Sequence, residues 1–113
     1  MWRDDAYFLD IVLAARKIQT FTSDKGWEDF ESDELLQDAV MRNLQVIGEA
    51  ARGLSEEARS RRPEIPWAEV VGLRHRLVHD YGGIDLQKVW EIVQEDVGAL
   101  ILALEPLIPP ETT

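Results

Sequence analysis

Apolar side chains recur at three- and four-residue intervals along most of the chain, the spacing of amphipathic helices. From Tyr7 the positions Tyr7, Ile11, Ala14, Ala15 and Ile18 share one face, with Asp4 or Asp5 placed to cap its start. The stretch Phe21 to Glu31, with Ser23, Asp24 and Gly26, breaks the pattern and reads as a loop. Ser32, followed by Asp33 and Glu34, predicts the start of a second helix, because acids in a first turn suit the positive end of the helix dipole. Its stripe is Leu35, Leu36, Ala39, Val40, Leu44, Ile47 and Ala51, running to about Leu54. Ser55-Glu56-Glu57 opens a short third helix that Pro63 stops. Pro66 suits the first position of a fourth, which passes Trp67, Val70, Val71 and Leu77 to about His79 and ends at Gly82-Gly83. Asp85 caps a last helix with Leu86, Val89, Trp90, Val93, Val97, Leu100, Ile101 and Leu104 in one stripe, about 30 Å long at 1.5 Å per residue. No alternating run suggests a sheet. The prediction is an all-α, antiparallel up-and-down bundle of four main helices and a short extra one.

Composition narrows the class. A chain of 113 residues is the size of one domain, expected over 1–113 with a frayed tail from about 107. With no Cys, disulfides, thiolate metal sites and cysteine nucleophiles are excluded. The uncharged stretch Val97 to Leu104 falls far short of the ~20 residues a membrane span needs. The N-terminus has acids where a signal peptide has a basic start, so a cytoplasmic protein without membrane association is expected.

Net charge is −10, which on its face opposes phosphate binding. Its distribution is uneven. Residues 1–50 carry −6 and residues 84–113 carry −5, whereas residues 51–83 carry +1, their bases being Arg52, Arg59, Arg61, Arg62, Arg74 and Arg76. The middle third is therefore where a phosphate is tolerated, unless those arginines simply lie on solvated helix faces. Gly48 and Gly72 each cost about 1 kcal/mol against Ala inside a helix, so close packing is expected there. Trp67 and Trp90 fall on apolar faces and read as core. Glu49, beside Gly48, reads as a solvated carboxylate, with orientation of an arginine as the alternative.

The chemistry-bearing segment is Leu73 to Asp85. It gathers both histidines of the chain, two arginines and a tyrosine. Three readings compete. His75 and His79 lie four apart on one helical face and could ligate a metal, although no Glu follows His75 and no third ligand is evident. Arg and His near a helix C-terminus could instead cap its carbonyls. The third reading is catalytic: histidine moves protons near neutral pH and arginine holds phosphate, which suffices for metal-free RNA cleavage by the substrate's own 2′-hydroxyl. Arg74 and His79 are separated by about 140° and 7.5 Å on an ideal helix, so spacing does not choose among the three.

Arg74-x4-His79-x-Tyr81, with His75 after the arginine, resembles the R-x4–6-H signature of HEPN domains and, more narrowly, the HepT-like toxins. Arg42-Asn-Leu-Gln-Val-Ile-Gly-Glu-Ala, Ile65-Pro-Trp, Gly72-Leu-Arg, Ile84-Asp and Val89-Trp90 extend the resemblance over about residues 35–105. His75 stands where Asn is commoner, a change that keeps the position polar. The resemblance implies a HEPN-like bundle that dimerises with its two motifs facing across a cleft. It implies the endoribonuclease toxin of a type II/VII-like toxin–antitoxin pair, metal-independent and without cofactor, with Arg74 and His79 catalytic and His75 and Arg76 supporting RNA binding. It further implies a minimal nucleotidyltransferase antitoxin that silences the toxin by adding AMP to Tyr81. The alternative is a non-catalytic HEPN binding or scaffold subunit of a nucleotidyltransferase complex.

Overall fold

The computed structural model describes residues 2–77 and 83–109, with Trp2 and Arg74 as backbone only. Helix α1 (Trp2–Thr22) places Phe8, Ile11, Val12, Ala15 and Ile18 at three- and four-residue steps, and all five are completely buried. They meet Val40, Leu44, Ile47 and Ala51 of α3 (Glu34–Gly53), and this pair forms the main seam of the core. Full burial of each large aliphatic or aromatic side chain contributes roughly 1.5–3 kcal/mol. The two helices are antiparallel, since the ring of Tyr7 fills the space beside Gly53 that a Cβ would need. The rest of the chain wraps this pair as α2 (Trp27–Ser32), α4 (Glu56–Ser60), α5 (Trp67–Val71), α6 (Leu73–Leu77), α7 (Leu86–Glu95), α8 (Val97–Leu104) and a 3-10 turn, Glu105–Leu107. α8 runs antiparallel to α1, with Gln19 beside Gly98 and Arg16 paired to Glu105 at 2.6 Å. The predicted all-α bundle is what the chain forms.

The structure departs from the periodicity in several places, each with a physical cause. The expected loop from Phe21 to Glu31 is mostly helical, since α1 continues to Thr22 and α2 begins at Trp27. The Gly26 N–H donates to the Asp29 carboxylate at 2.9 Å, which starts α2. Phe30 within it is completely buried and stacks on Trp90 with centroids 5.0 Å apart. Asp33 rather than Ser32 caps α3, accepting from the Leu36 N–H at 3.0 Å.

The fourth helix breaks at Gly72 into α5 and α6, and its expected end at His79 and Gly82 lies outside the described residues. The last helix is two shorter ones joined at Asp96. Backbone bonds from Asp96 to Ile92 and from Leu100 to Asp96, both 2.9 Å, close α7 and open α8 at that one residue. α7 lies against α2, whereas α8 follows α1. Leu107 and Ile108, expected within the tail, are half-buried against the core.

Asp4 does not cap α1. It lies buried, three residues before Tyr7 on α1, and its two oxygens accept from the Ser55 N–H at 3.0 Å and the Ser55 hydroxyl at 2.8 Å. Ser55 meanwhile caps α4, accepting from the Ala58 N–H at 3.1 Å. These hydrogen bonds from Ser55, backbone first, hold the Asp4 carboxyl below its ordinary value of 3.8. A carboxyl depressed in the folded state stabilises above its unfolded value and loses that contribution as pH falls through the folded one. Asp4→Ala should therefore cost about 2 kcal/mol at neutral pH by thermal or urea denaturation, the scale of hydrogen bonds to a charged group. The difference from wild type should narrow as the pH is lowered below about 4.

Candidate functional site

The site segment sits where it does because of one glycine. Gly48 in α3 faces the carbonyl oxygens at the end of α5, and a Cβ there would lie 3.2 Å from the Val70 oxygen and 3.6 Å from that of Val71. Without a side chain the two helices close on each other, as the sequence predicted. Trp67 anchors the other end of α5. It is buried, and its indole N–H donates to the carbonyls of Arg59 and Arg62 at 3.0 and 3.1 Å.

From this fixed α5 the chain turns at Gly72 into α6, Leu73-Arg74-His75-Arg76-Leu77. Leu73 and Leu77, four apart, are both buried and hold one side of α6 in the core. His75 and Arg76 between them are exposed. The backbone of Arg74 is part of the same turn, while His79 and Tyr81 lie outside the described residues. The Asp85 N–H donates to the Leu77 carbonyl at 2.9 Å, and the Asp85 carboxylate caps α7 by accepting from the Lys88 N–H at 3.1 Å. The chain on either side of His79 and Tyr81 is thus held at both ends.

The arginines divide into two groups. Arg59 donates from Nη2 to the Ala51 carbonyl at 2.9 Å, closing the C-terminus of α3, and its Nε is buried without a partner. Arg62 donates from Nε to the Ala103 carbonyl at 2.6 Å, closing the C-terminus of α8. Cations suit these helix ends, where carbonyls lack partners and the dipole is negative. Arg61 pairs with Glu57 at 3.9 Å in the open, an arrangement of little energetic weight. Arg52 and Arg76 are exposed. The capping roles of Arg59 and Arg62 were missed by local spacing, because their acceptors lie 8 and 41 residues away.

Beside Gly48 a small cleft of about 150 Å³ is bordered by Glu49, Arg52, Val71 and Leu73. Glu49 is exposed there, as a solvated carboxylate should be. Trp90 is half-buried rather than fully core. Among the described residues no three His, Asp or Glu gather as metal ligands would, and the His75–His79 pair lies partly outside them.

Against known sequences, the profile of the ribonuclease HepT-like family matches residues 11–107. A Methanocaldococcus jannaschii protein named as a candidate RNase is 41% identical over 92 residues, 81% of this chain and 84% of its own. A Thermococcus cleftensis protein named as a probable ribonuclease HepT is 39% identical over 94 residues, 83% of this chain and 86% of its own. A second M. jannaschii protein, also named as a candidate RNase, is 37% identical over 103 residues, 91% of this chain and 85% of its own. No solved structure matches the chain at comparable significance.

The close contact at Gly48 generates a prediction. Gly48→Val should destabilise the chain by about 2 kcal/mol or more, since the added atoms meet backbone rather than a side chain that can turn aside. Chemical denaturation measures it. Val at the exposed, neighbouring Glu49 position should change stability by well under half of that.

Proposed function

This chain belongs to the ribonuclease HepT-like family of HEPN proteins, and we propose that it is a metal-independent endoribonuclease whose reaction is carried by Arg74 and His79. The observation that carries this reading is the placement of the motif turn. α6 buries Leu73 and Leu77 and leaves His75 and Arg76 facing solvent, which supports a motif whose first turn is anchored in the core and accessible to a polymer.

The chemistry asks little of the protein. In RNA the 2′-oxygen attacks the adjacent phosphorus, the bond to the 5′-oxygen breaks, and a 2′,3′-cyclic phosphate and a 5′-hydroxyl result. The attacking hydroxyl must lose a proton and the leaving oxygen must gain one, which suits an imidazole acting as general base or acid. Charge grows on the non-bridging oxygens meanwhile, and a guanidinium beside them lowers that barrier. Exposed His75 and Arg76 supply polar and cationic contacts for the flanking backbone. A two-fold dimer with both motifs lining one groove brings Arg74 of one copy toward His79 of the other and doubles the arginines against a chain of net −10.

On this reading the chain is the toxin of a toxin–antitoxin pair, and a minimal nucleotidyltransferase silences it by adding AMP to Tyr81. The added phosphate carries negative charge to the substrate's own binding place and repels it. Family membership supports this reading of control. An inert scaffold subunit shares the fold but makes no product, so a single assay separates the two.

Arg74→Ala and His79→Ala should each reduce RNA cleavage at least 100-fold, the lower range for loss of a proton-transfer or charge-stabilising group, with the helical circular dichroism unchanged. Cleavage should survive EDTA. Wild-type rates in either variant would remove the assignment. For control, Tyr81→Phe should keep its cleavage yet escape silencing by the partner enzyme and ATP, and mass spectrometry of co-expressed wild type should find AMP on the Tyr81 peptide. Full silencing of Tyr81→Phe would leave occlusion of the groove as the mechanism.

A further inference from the structure

A cleft of about 330 Å³ opens between α3, α5, α6 and α8. Its floor is apolar, from Ile47, Val70 and Leu73, and its wall is the α8 face of Ala99, Leu100 and Ala103. α8 reads Val-Gly-Ala-Leu-Ile-Leu-Ala-Leu and has no charged or hydrogen-bonding side chain. Only Val97, Ile101 and Leu104 of it are buried, whereas on the cleft side Ala99 is exposed and Leu100 and Ala103 are half-buried. A helix apolar on every side is normally covered on every side. The rim of the cleft is of opposite character. Glu64, Glu69 and Asp96 stand around it with Arg76 as the one base, and all four are exposed.

An apolar trough with an acidic rim selects its occupant by both properties. Single-stranded RNA is disfavoured, since each phosphate would approach three carboxylates and the trough offers no aromatic ring for a base to stack on. A second copy docked here about a two-fold axis would set Glu64, Glu69 and Asp96 against their own equivalents. We propose that the cleft is a docking groove for an amphipathic helical segment of a partner protein, with apolar residues at i, i+3/i+4 and i+7 seated against α8 and lysines or arginines flanking them. Ala99 and Ala103, one turn apart, allow that helix to approach at the shorter end of the usual 8–10 Å interaxial range. The mode is helix-in-groove, with charge setting the choice of partner and its arrival rate. It requires no ribonuclease activity of the chain and goes beyond the functional reading above.

The test uses the full chain and three labelled probes in fluorescence anisotropy. These are a synthetic amphipathic helix with leucines on one face and flanking lysines, its counterpart with glutamates for the lysines, and an oligo(U) single strand. The lysine helix should bind at least about tenfold tighter than the glutamate helix, a factor worth 1.4 kcal/mol. Glu64→Lys/Glu69→Lys should reverse that preference, and Ala103→Trp, which fills the trough, should weaken both peptides. If the doubly reversed chain unfolds early, Glu64→Gln/Glu69→Gln replaces it and should abolish the preference. Equal binding of the two peptides, or a preference unmoved by the charge changes, overturns the proposal. So does oligo(U) binding that Ala103→Trp removes, which would make the groove an RNA surface. RNA cleavage by the Glu64/Glu69 variants, assayed separately, should match wild type, so the groove and the ribonuclease reading fail independently.

Discussion

The placement of α5 and α6 depends on a missing side chain. At Gly48 the surface of α3 is bare backbone, and the carbonyl oxygens of Val70 and Val71 crowd the space a Cβ would fill, 3.2 and 3.6 Å from its place. Trp67 fixes the start of α5 and Gly48 its end, so the turn at Gly72 begins from a defined point. α6 inherits that position through Leu73 and Leu77. Conformational freedom that Gly48 gives up on folding is offset by this contact and by the burial it permits. The exposed face of α6 is then a consequence of packing in its neighbours, with few contacts of its own.

The sequence was most informative where helices are long and two-sided. The faces of α1 and α3 were legible as three- and four-residue steps, because each helix has one buried side that must be apolar. The breaks at Gly72 and Asp96 were not legible. An apolar stripe continues through a break as easily as through a straight helix, although α7 and α8 on either side of Asp96 meet different neighbours. α2 was hidden because its helical turn rests on a local hydrogen bond, Gly26 to Asp29, and on a single buried aromatic, Phe30. Asp4 has the residue type and position of an N-cap, and only its distant partner Ser55 reveals its role. For the candidate site, residue types and resemblance point to the Arg74–His79–Tyr81 segment, and the fold adds how the chain before and after residues 78–82 is anchored.

Charge in the middle third carries a similar lesson. Counted along the sequence, six arginines make a basic island in an acidic chain. In the fold, Arg59 and Arg62 are turned toward carbonyls of α3 and α8 and hold helix ends rather than ligands. A guanidinium in contact with a helix C-terminus satisfies acceptors that would otherwise face the interior unpaired. The arginines left facing solvent are fewer than the count suggests.

The order in which the helices cover one another bears on how the chain is made. α1 precedes α8 in the chain by about 75 residues, yet one of its flanks is covered by α8, and Arg16 finds Glu105 across 89 residues. Asp4 likewise waits for Ser55, 51 residues on. A chain emerging from the ribosome therefore carries α1 with one apolar side open until α8 has been added. The seam between them closes only when those two helices meet. A chain stopped before α8 is for that reason not a smaller version of the protein, because an apolar flank of its longest helix is left to water.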